Sequence, residues 1–231
     1  MALIVRIDVD RPYGREPFLR HVASRVSSDF WWPRMESLGY LRELKEMLRW
    51  LNERGARAYA FFRRCTLPDE SVLELMDSGQ HVIGLHLENS RSFETFLREK
   101  EDLERHLGRR VHAFSKHGSG NGRFGRSHYA PYEPVKYVDW ARKSAMNLFL
   151  GNLEDPTLEP EITGGLRVYP SAFWLEPSWR DTTRFPVEWL VRKAKETDVV
   201  LLVHPENVLA SADLSADFQT LTGAITTRIF P

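Results

Sequence analysis

Strand-like and helix-like segments alternate at least five times along this chain, which limits its possible folds more than any other feature. "ALIVRIDVD" opens it as a strand with Leu3, Val5, Ile7 and Val9 on one face and Arg6, Asp8 and Asp10 on the other. "LGYLRELKEMLRWLNERG" is an amphipathic helix, with Leu41, Leu44, Leu48 and Leu51 at helical spacing and Gly55 as its stop. "ARAYAFF", "HVIGLH", "RVHAFS", "NLFL", "LRVYP" and "VVLLVH" read as further strands. Between them "PDESVLELMDSG", "SFETFLREKEDLERHLG", "VKYVDWARKSAM" and "VEWLVRKAKET" read as helices, the second capped by Ser92 and stopped by Gly108. This alternation predicts an α/β fold of parallel strands joined by crossover helices. Residues 11–36 are expected to be mostly loop, with a short helix over 16–26. Residues 116–133 and 151–165 are expected as loops, and the tail after Val208 is weakly patterned.

The 231 residues, 42% apolar and 28% charged, suffice for one sizeable core, so a single domain over residues 1–231 is expected. The 32 basic and 32 acidic residues cancel, which argues against a general nucleic-acid partner. One cysteine, Cys65, excludes an internal disulfide framework and reads as packing. No signal-peptide pattern opens the sequence and no apolar run is long enough to span a bilayer, so a cytoplasmic protein is expected.

The strands are apolar until their C-terminal ends, where polar residues appear: Asp8 and Asp10, then His86, then Ser115, Lys116 and His117, and last His204. In parallel α/β folds these ends share one rim, where sites are built. Two carboxylates and two or three imidazoles there suit zinc, and also cobalt, nickel or iron. Paired acids two residues apart repel one another unless a cation lies beside them. The plainer alternative pairs Asp8 and Asp10 with Arg6 or Arg11 as structural residues.

Three short motifs in order, "IDVD", "HVIGLH" and "LLVH", resemble those of the polysaccharide deacetylases of the NodB-homology superfamily, over about residues 3 to 206. The resemblance implies a distorted (β/α) barrel of about seven parallel strands and metal-dependent removal of an acyl group from an N-acylated sugar. It makes Asp8 the catalytic base, Asp10 and His86 metal ligands, and His204 the residue that assists the leaving group. The family's second metal histidine should fall at position 90, where this chain has Ser90. A hydroxyl is a poor substitute for imidazole, and His117 is expected to take its place. "FSKHGSG" occupies the position of an arginine- and proline-containing motif, matching it only at Phe114 and Gly120. The family's fourth motif, an aspartate and a tryptophan that tune the last histidine, is unplaced among Asp139, Trp140, Trp174 and Trp179.

Arg11, Lys116, Trp31 and Trp32 are expected to face substrate, "DFWWPR" serving either as a stacking platform or as a cover over the barrel mouth. His21, His81, His106, His112 and His128 are read as surface or packing residues. With a cytoplasmic location, a small-molecule or lipid-linked sugar precursor of a surface polysaccharide is the expected substrate. Two alternatives stay open: a degraded carbohydrate-binding or regulatory protein on the same fold, and an amidohydrolase acting on a non-sugar amide.

Overall fold

The computed structural model describes residues 2–14, 17–30 and 34–230. In chain order the elements are β1 (Leu3–Val9), α1 (Phe18–Asp29), α2 (Arg42–Glu53), β2 (Ala58–Phe62), α3 (Glu70–Ser78), β3 (Val82–Leu87), α4 (Phe93–Leu107), β4 (Ala113–Lys116), α5 (Pro134–Lys143), β5 (Leu148–Leu153), β6 (Glu161–Thr163), β7 (Leu166–Ser171), β8 (Phe173–Trp174), α6 (Val187–Lys193), β9 (Val199–Val203), α7 (Pro205–Val208) and α8 (Ala212–Ala224). The strands form one sheet in the order β6-β7-β5-β4-β3-β2-β1-β9-β8. Every pairing is parallel except the short β6–β7 hairpin.

The barrel is distorted where it closes. β7 pairs with β5 at one end of the sheet, and β8, two residues further along the same segment, pairs with β9 at the other. Residues 166–174 thus bridge both ends, bending at Ala172, whose N–H donates to Leu153 O. Seven longer parallel strands and this irregular bridge make the distorted barrel expected from the sequence.

Side-chain alternation sorts the core into two layers. Leu3, Val5, Ile7 and Val9 face outward into the cluster that α2, α3 and α4 cover. Ile4 joins Tyr59, Phe61, Leu148, Leu150 and Leu202 inside the barrel. α2 buries Leu44, Met47, Leu48 and Leu51, each stabilising by about 1.5–3 kcal/mol when fully buried. Gly84 is required inside the barrel, because a Cβ there would lie 2.3 Å from a Phe61 ring carbon. Ser92 caps α4, its Oγ accepting from Thr95 N, and Gly108 ends that helix at φ +65°.

Several elements escaped the sequence reading. β6 falls within the expected 151–165 loop, and β8 and α7 are too short to show a period. α8 forms in the weakly patterned tail: Ser211 accepts from Leu214 N as its cap, and Phe218, Leu221 and Thr222 supply its buried face. α1 begins two residues later and ends three later than expected. No helix among the described residues is long and apolar enough to cross a membrane.

Candidate metal centre

The inward face of β1 supplies the floor of the site. Arg6 is fully buried inside the barrel. Its Nε and Nη2 donate to Asp8 Oδ1 and Oδ2 at 2.8 and 2.6 Å, and Nη2 also donates to Asn152 Oδ1 at 2.8 Å. Nη1 donates to Leu150 O at 3.0 Å and Gly151 O at 2.8 Å. All five guanidinium N–H groups are thereby satisfied, and Asp8 is held by a bidentate, charge-assisted pair. Asp8 Oδ2 lies 3.6 Å from His86 Nε2. This is the ion pair that the structural alternative for Asp8 foresaw, made with Arg6 rather than Arg11.

Two residues on, Asp10 reaches the rim. Its main-chain carbonyl accepts from Arg63 Nη1 at 2.6 Å, and Arg63 is itself ion-paired with buried Glu88. Asp10 Oδ1 lies 3.1 Å from His86 Nε2 and 3.0 Å from His117 Nδ1. The two imidazole nitrogens are 3.3 Å apart. His86 and Ser115 are register partners on β3 and β4, so both side chains point inward and Ser115 Oγ meets His86 Nδ1 at 2.7 Å. His117, just beyond β4, is anchored through its N–H to Leu87 O at 2.9 Å.

His204 approaches from the end of β9. Its Nδ1 lies 2.8 Å from Glu176 Oε1, which also accepts from His204 N at 3.2 Å and Asn207 Nδ2 at 3.1 Å. The Trp174 ring lies beside the imidazole, centroids 5.9 Å apart. His204 Nε2 is 3.6 Å from Asp10 Oδ2, so a histidine–carboxylate pair stands next to the Asp10 cluster.

The charges are sharply divided. Burial pushes the His204 imidazole down, but the hydrogen bond to Glu176 and its charge, with Asp10 and Glu206 beyond, raise it to about 10. Burial and the charge of Arg63 bring His117 down to about 3 despite Asp10. Burial would raise Asp10, yet the contacts with His117 and His86 hold it well below the usual carboxylate range. Burial and the charge of Asp10 raise Glu206 to about 7, against the opposing pull of His204. An ionised Asp10 beside a neutral His117 is the protonation state in which both residues ligate a metal.

The donor set fits a divalent ion on a separate ground. Asp10 Oδ1 is buried and has no hydrogen-bond partner, although two imidazole nitrogens lie about it. A buried carboxylate oxygen left without a partner is costly. A cation bonded to all three atoms removes that cost. The 3.0–3.3 Å separations approach the roughly 3.3 Å that tetrahedral bonds of about 2.0–2.1 Å impose. Ser115 on the far nitrogen of His86 fixes the ring as metal-binding histidines require.

The structure therefore brings Asp8, Asp10, His86, His117 and His204 to one rim, with Arg11 beside them. Lys116 is corrected. It is fully buried, its Nζ donating to His117 O and lying 3.2 Å from His128 Nε2, so it braces the loop and does not line the cavity beside Asp10. The even–odd alternation of β4 turns it away from the inward residues Ser115 and His117. Trp31 and Trp32 lie outside the described residues. Ser90 bonds Tyr137 Oη at 3.1 Å and takes no part in the cluster. His128, read as surface or packing, is buried and hydrogen-bonds His117 O at 2.8 Å. His21, read the same way, lines a cavity beside Asp10.

Sequence reasoning missed Glu176. With Trp174 it stands on His204 where Asp139 and Trp140 do not, and the available signal was an acid ending the apolar run "AFWLE". Arg63 and Glu88 were missed too, each being one strand-end position past an apolar run.

No protein-family model matches the chain, and no curated protein matches it in sequence. Solved structures do share its fold. A Streptococcus mutans CE4 esterase superposes with a TM-score of 0.50 and 12% identity, over 100% of this chain and 86% of that one. A Parabacteroides distasonis protein assigned as a glycoside hydrolase/deacetylase superposes with a TM-score of 0.51 and 11% identity, over 96% of this chain and 66% of that one. A mutant of a CE4 family pseudoenzyme with restored enzymatic activity gives a TM-score of 0.45 at 11% identity, over 99% of this chain and 69% of that one. The chain thus has the (β/α)-barrel fold of the CE4 deacetylases, and it spans about two thirds of the Parabacteroides protein's length.

Proposed function

We propose that this protein is a metal-dependent hydrolase that removes an acyl group, acetyl foremost, from an amide nitrogen on a sugar or sugar precursor. One observation carries the reading. Asp10 Oδ1, buried and unpartnered, lies within 3.1 Å of both His86 Nε2 and His117 Nδ1, and a carboxylate-backed histidine stands on its other side.

Asp10, His86 and His117 would hold the ion, zinc first among the metals such donors suit, with cobalt, nickel and iron close behind. A divalent ion there acidifies water and polarises an acyl carbonyl. The chain's own groups do the rest. His204, kept protonated by Glu176, donates a proton to the departing amine. Asp8 keeps accepting lone pairs on both oxygens despite Arg6, and it takes the proton from the attacking water. Arg6 orients Asp8, Arg63 fixes the main chain of Asp10, and Ser115 orients His86.

A second reading draws on a specific observation. The cavity beside Asp10 is only about 260 Å³ and is lined by Arg11, Arg25 and Arg63, which favours a small charged amide over a glycan chain.

The test pairs metal content with product release. Purified protein is loaded with zinc or cobalt, its metal is counted by elemental mass spectrometry, and acetate release is followed from N-acetylated sugars and small N-acetylated acids. Bound metal that is lost in His86→Ala and His117→Ala, together with acetate release that needs it, supports the hydrolase. Release from small acids but not from sugars selects the second reading. Bound metal without acetate release from any substrate leaves a binding protein, and no metal at all removes the mechanism.

A further inference from the structure

The cavity next to Asp10 has a polarity that hydrolysis of a neutral acetamido sugar does not explain. Arg11, Arg25, Arg63 and His21 line it, and Asp10 is the acid on its wall. Two of the three guanidinium charges have carboxylates nearby: Arg63 is paired with Glu88, and Arg11 Nε lies 3.8 Å from Glu206 Oε1. Arg25, exposed on α1, makes no ion pair among the described residues. Asp10 cannot balance it, since that carboxylate is committed to the two imidazoles and the ion they would share. With Arg63 and Arg11 each beside a carboxylate, the uncompensated guanidinium at this cavity is that of Arg25.

The arrangement is built, not incidental. His21, Ser24, Arg25 and Ser28 recur at helical spacing along α1, so one face of that helix lies over the cavity. Ser24 is buried, accepts from Tyr13 N at 3.2 Å and donates to Tyr13 O at 2.7 Å. Those two bonds fix α1 on the loop that follows β1, which places the exposed Arg25 at the edge of the cavity. The planar guanidinium fork matches the oxygens of a carboxylate or phosphate, whereas a neutral hydroxyl-bearing ring needs no such charge.

We propose that the substrate carries an anionic oxygen group, a carboxylate or a phosphate, which Arg25 and Arg11 take up beside the acyl group. This deepens the hydrolase reading and rests on it for the position of the acyl group.

The experiment measures binding and turnover separately. Metal-loaded protein is titrated by calorimetry with N-acetylglucosamine, N-acetylglucosamine 1-phosphate, N-acetylmuramic acid and inorganic phosphate, while acetate release from each sugar is followed in parallel. At least one charged sugar is expected to bind about tenfold or more tightly than the neutral one. Arg25→Ala and Arg11→Ala should each reduce that preference with metal content unchanged, and Arg25→Lys should restore part of it. Preference for the phosphate over the carboxylate sugar, or the reverse, identifies the source of the anion. Equal binding of charged and neutral sugars overturns the proposal. So does the absence of binding by every charged probe at millimolar concentration, or a preference that survives both arginine variants and is therefore due to the metal alone. Charged-sugar preference without acetate release refutes the hydrolase reading and leaves the anion site standing. Acetate release at equal kcat/KM from charged and neutral sugars does the opposite.

Discussion

Glu176→Gln isolates the charge that holds His204 protonated. The variant keeps the shape of the side chain and removes one negative charge 2.8 Å from His204 Nδ1. The rise of His204 from its ordinary 6.5 to about 10 corresponds to about 5 kcal/mol of preference for the imidazolium, at about 1.4 kcal/mol per pH unit. Asp10 and Glu206 contribute to that rise, and burial opposes it, so Glu176 does not account for all of it. Breaking a buried ion pair from one side costs about 3–5 kcal/mol, and a loss near the lower figure is expected at pH 7. The sign follows from the raised value. The stabilisation is fully present below the unfolded histidine's 6.5 and is lost as pH rises through about 10. Wild type and variant should therefore differ most near neutrality and converge above about pH 10. At the acid end the gap closes again as Glu176, held below its usual range mainly by His204 against burial, takes up its proton. The assay is urea unfolding of both proteins across this range after chelation of metal, so that the full charge of Asp10 faces His204. A difference that does not change between pH 7 and pH 10, or a variant as stable as wild type at pH 7, would refute the reasoning. In the active protein, the alkaline limb of kcat/KM should move to lower pH in the variant.

Ser115→Ala removes the oxygen that orients His86; metal affinity measured by competition with a chelator should fall about 10–100-fold, with the fold intact by circular dichroism. Arg6→Met leaves Asp8 buried without its partner and frees two carbonyls and Asn152; a loss of about 3–5 kcal/mol is expected in urea unfolding. Gly84→Ala drives a methyl into the Phe61 ring and should cost about 1–3 kcal/mol. Adding Phe61→Leu should recover part of that cost in a double-mutant cycle, and strict additivity of the two changes would argue against the contact.

What the sequence determined by itself is local and periodic. Alternation on β1 separated Leu3, Val5, Ile7 and Val9 from Arg6, Asp8 and Asp10, and the two sets occupy the outer core and the barrel interior. That follows because a strand has a period of two, whatever its partners are. Helical spacing gave α2 and α4, with Ser92 and Gly108 at the ends of the latter. The strand-end positions of Asp10, His86, His117 and His204 were legible for the same reason: each follows an apolar run that has to be a buried strand. Tertiary structure decided what those residues meet. That Arg6 clamps Asp8 depends on the closing of the barrel, which brings Leu150, Gly151 and Asn152 around a guanidinium about 145 positions earlier. Glu176 became the partner of His204 only because residues 166–174 cross from β5 to β9, a bend that no periodicity encodes. Lys116 and His117 are adjacent in sequence, yet one is sealed in the loop and the other joins the cluster, because consecutive side chains leave a strand on opposite faces. α8 depended on the surface it covers: with little amphipathic pattern of its own, it is held by Phe218 against Trp50 of α2, ring centroids 5.4 Å apart. Periodic burial is a property of a segment, whereas a site is a set of distances between segments, and only the closed barrel sets those.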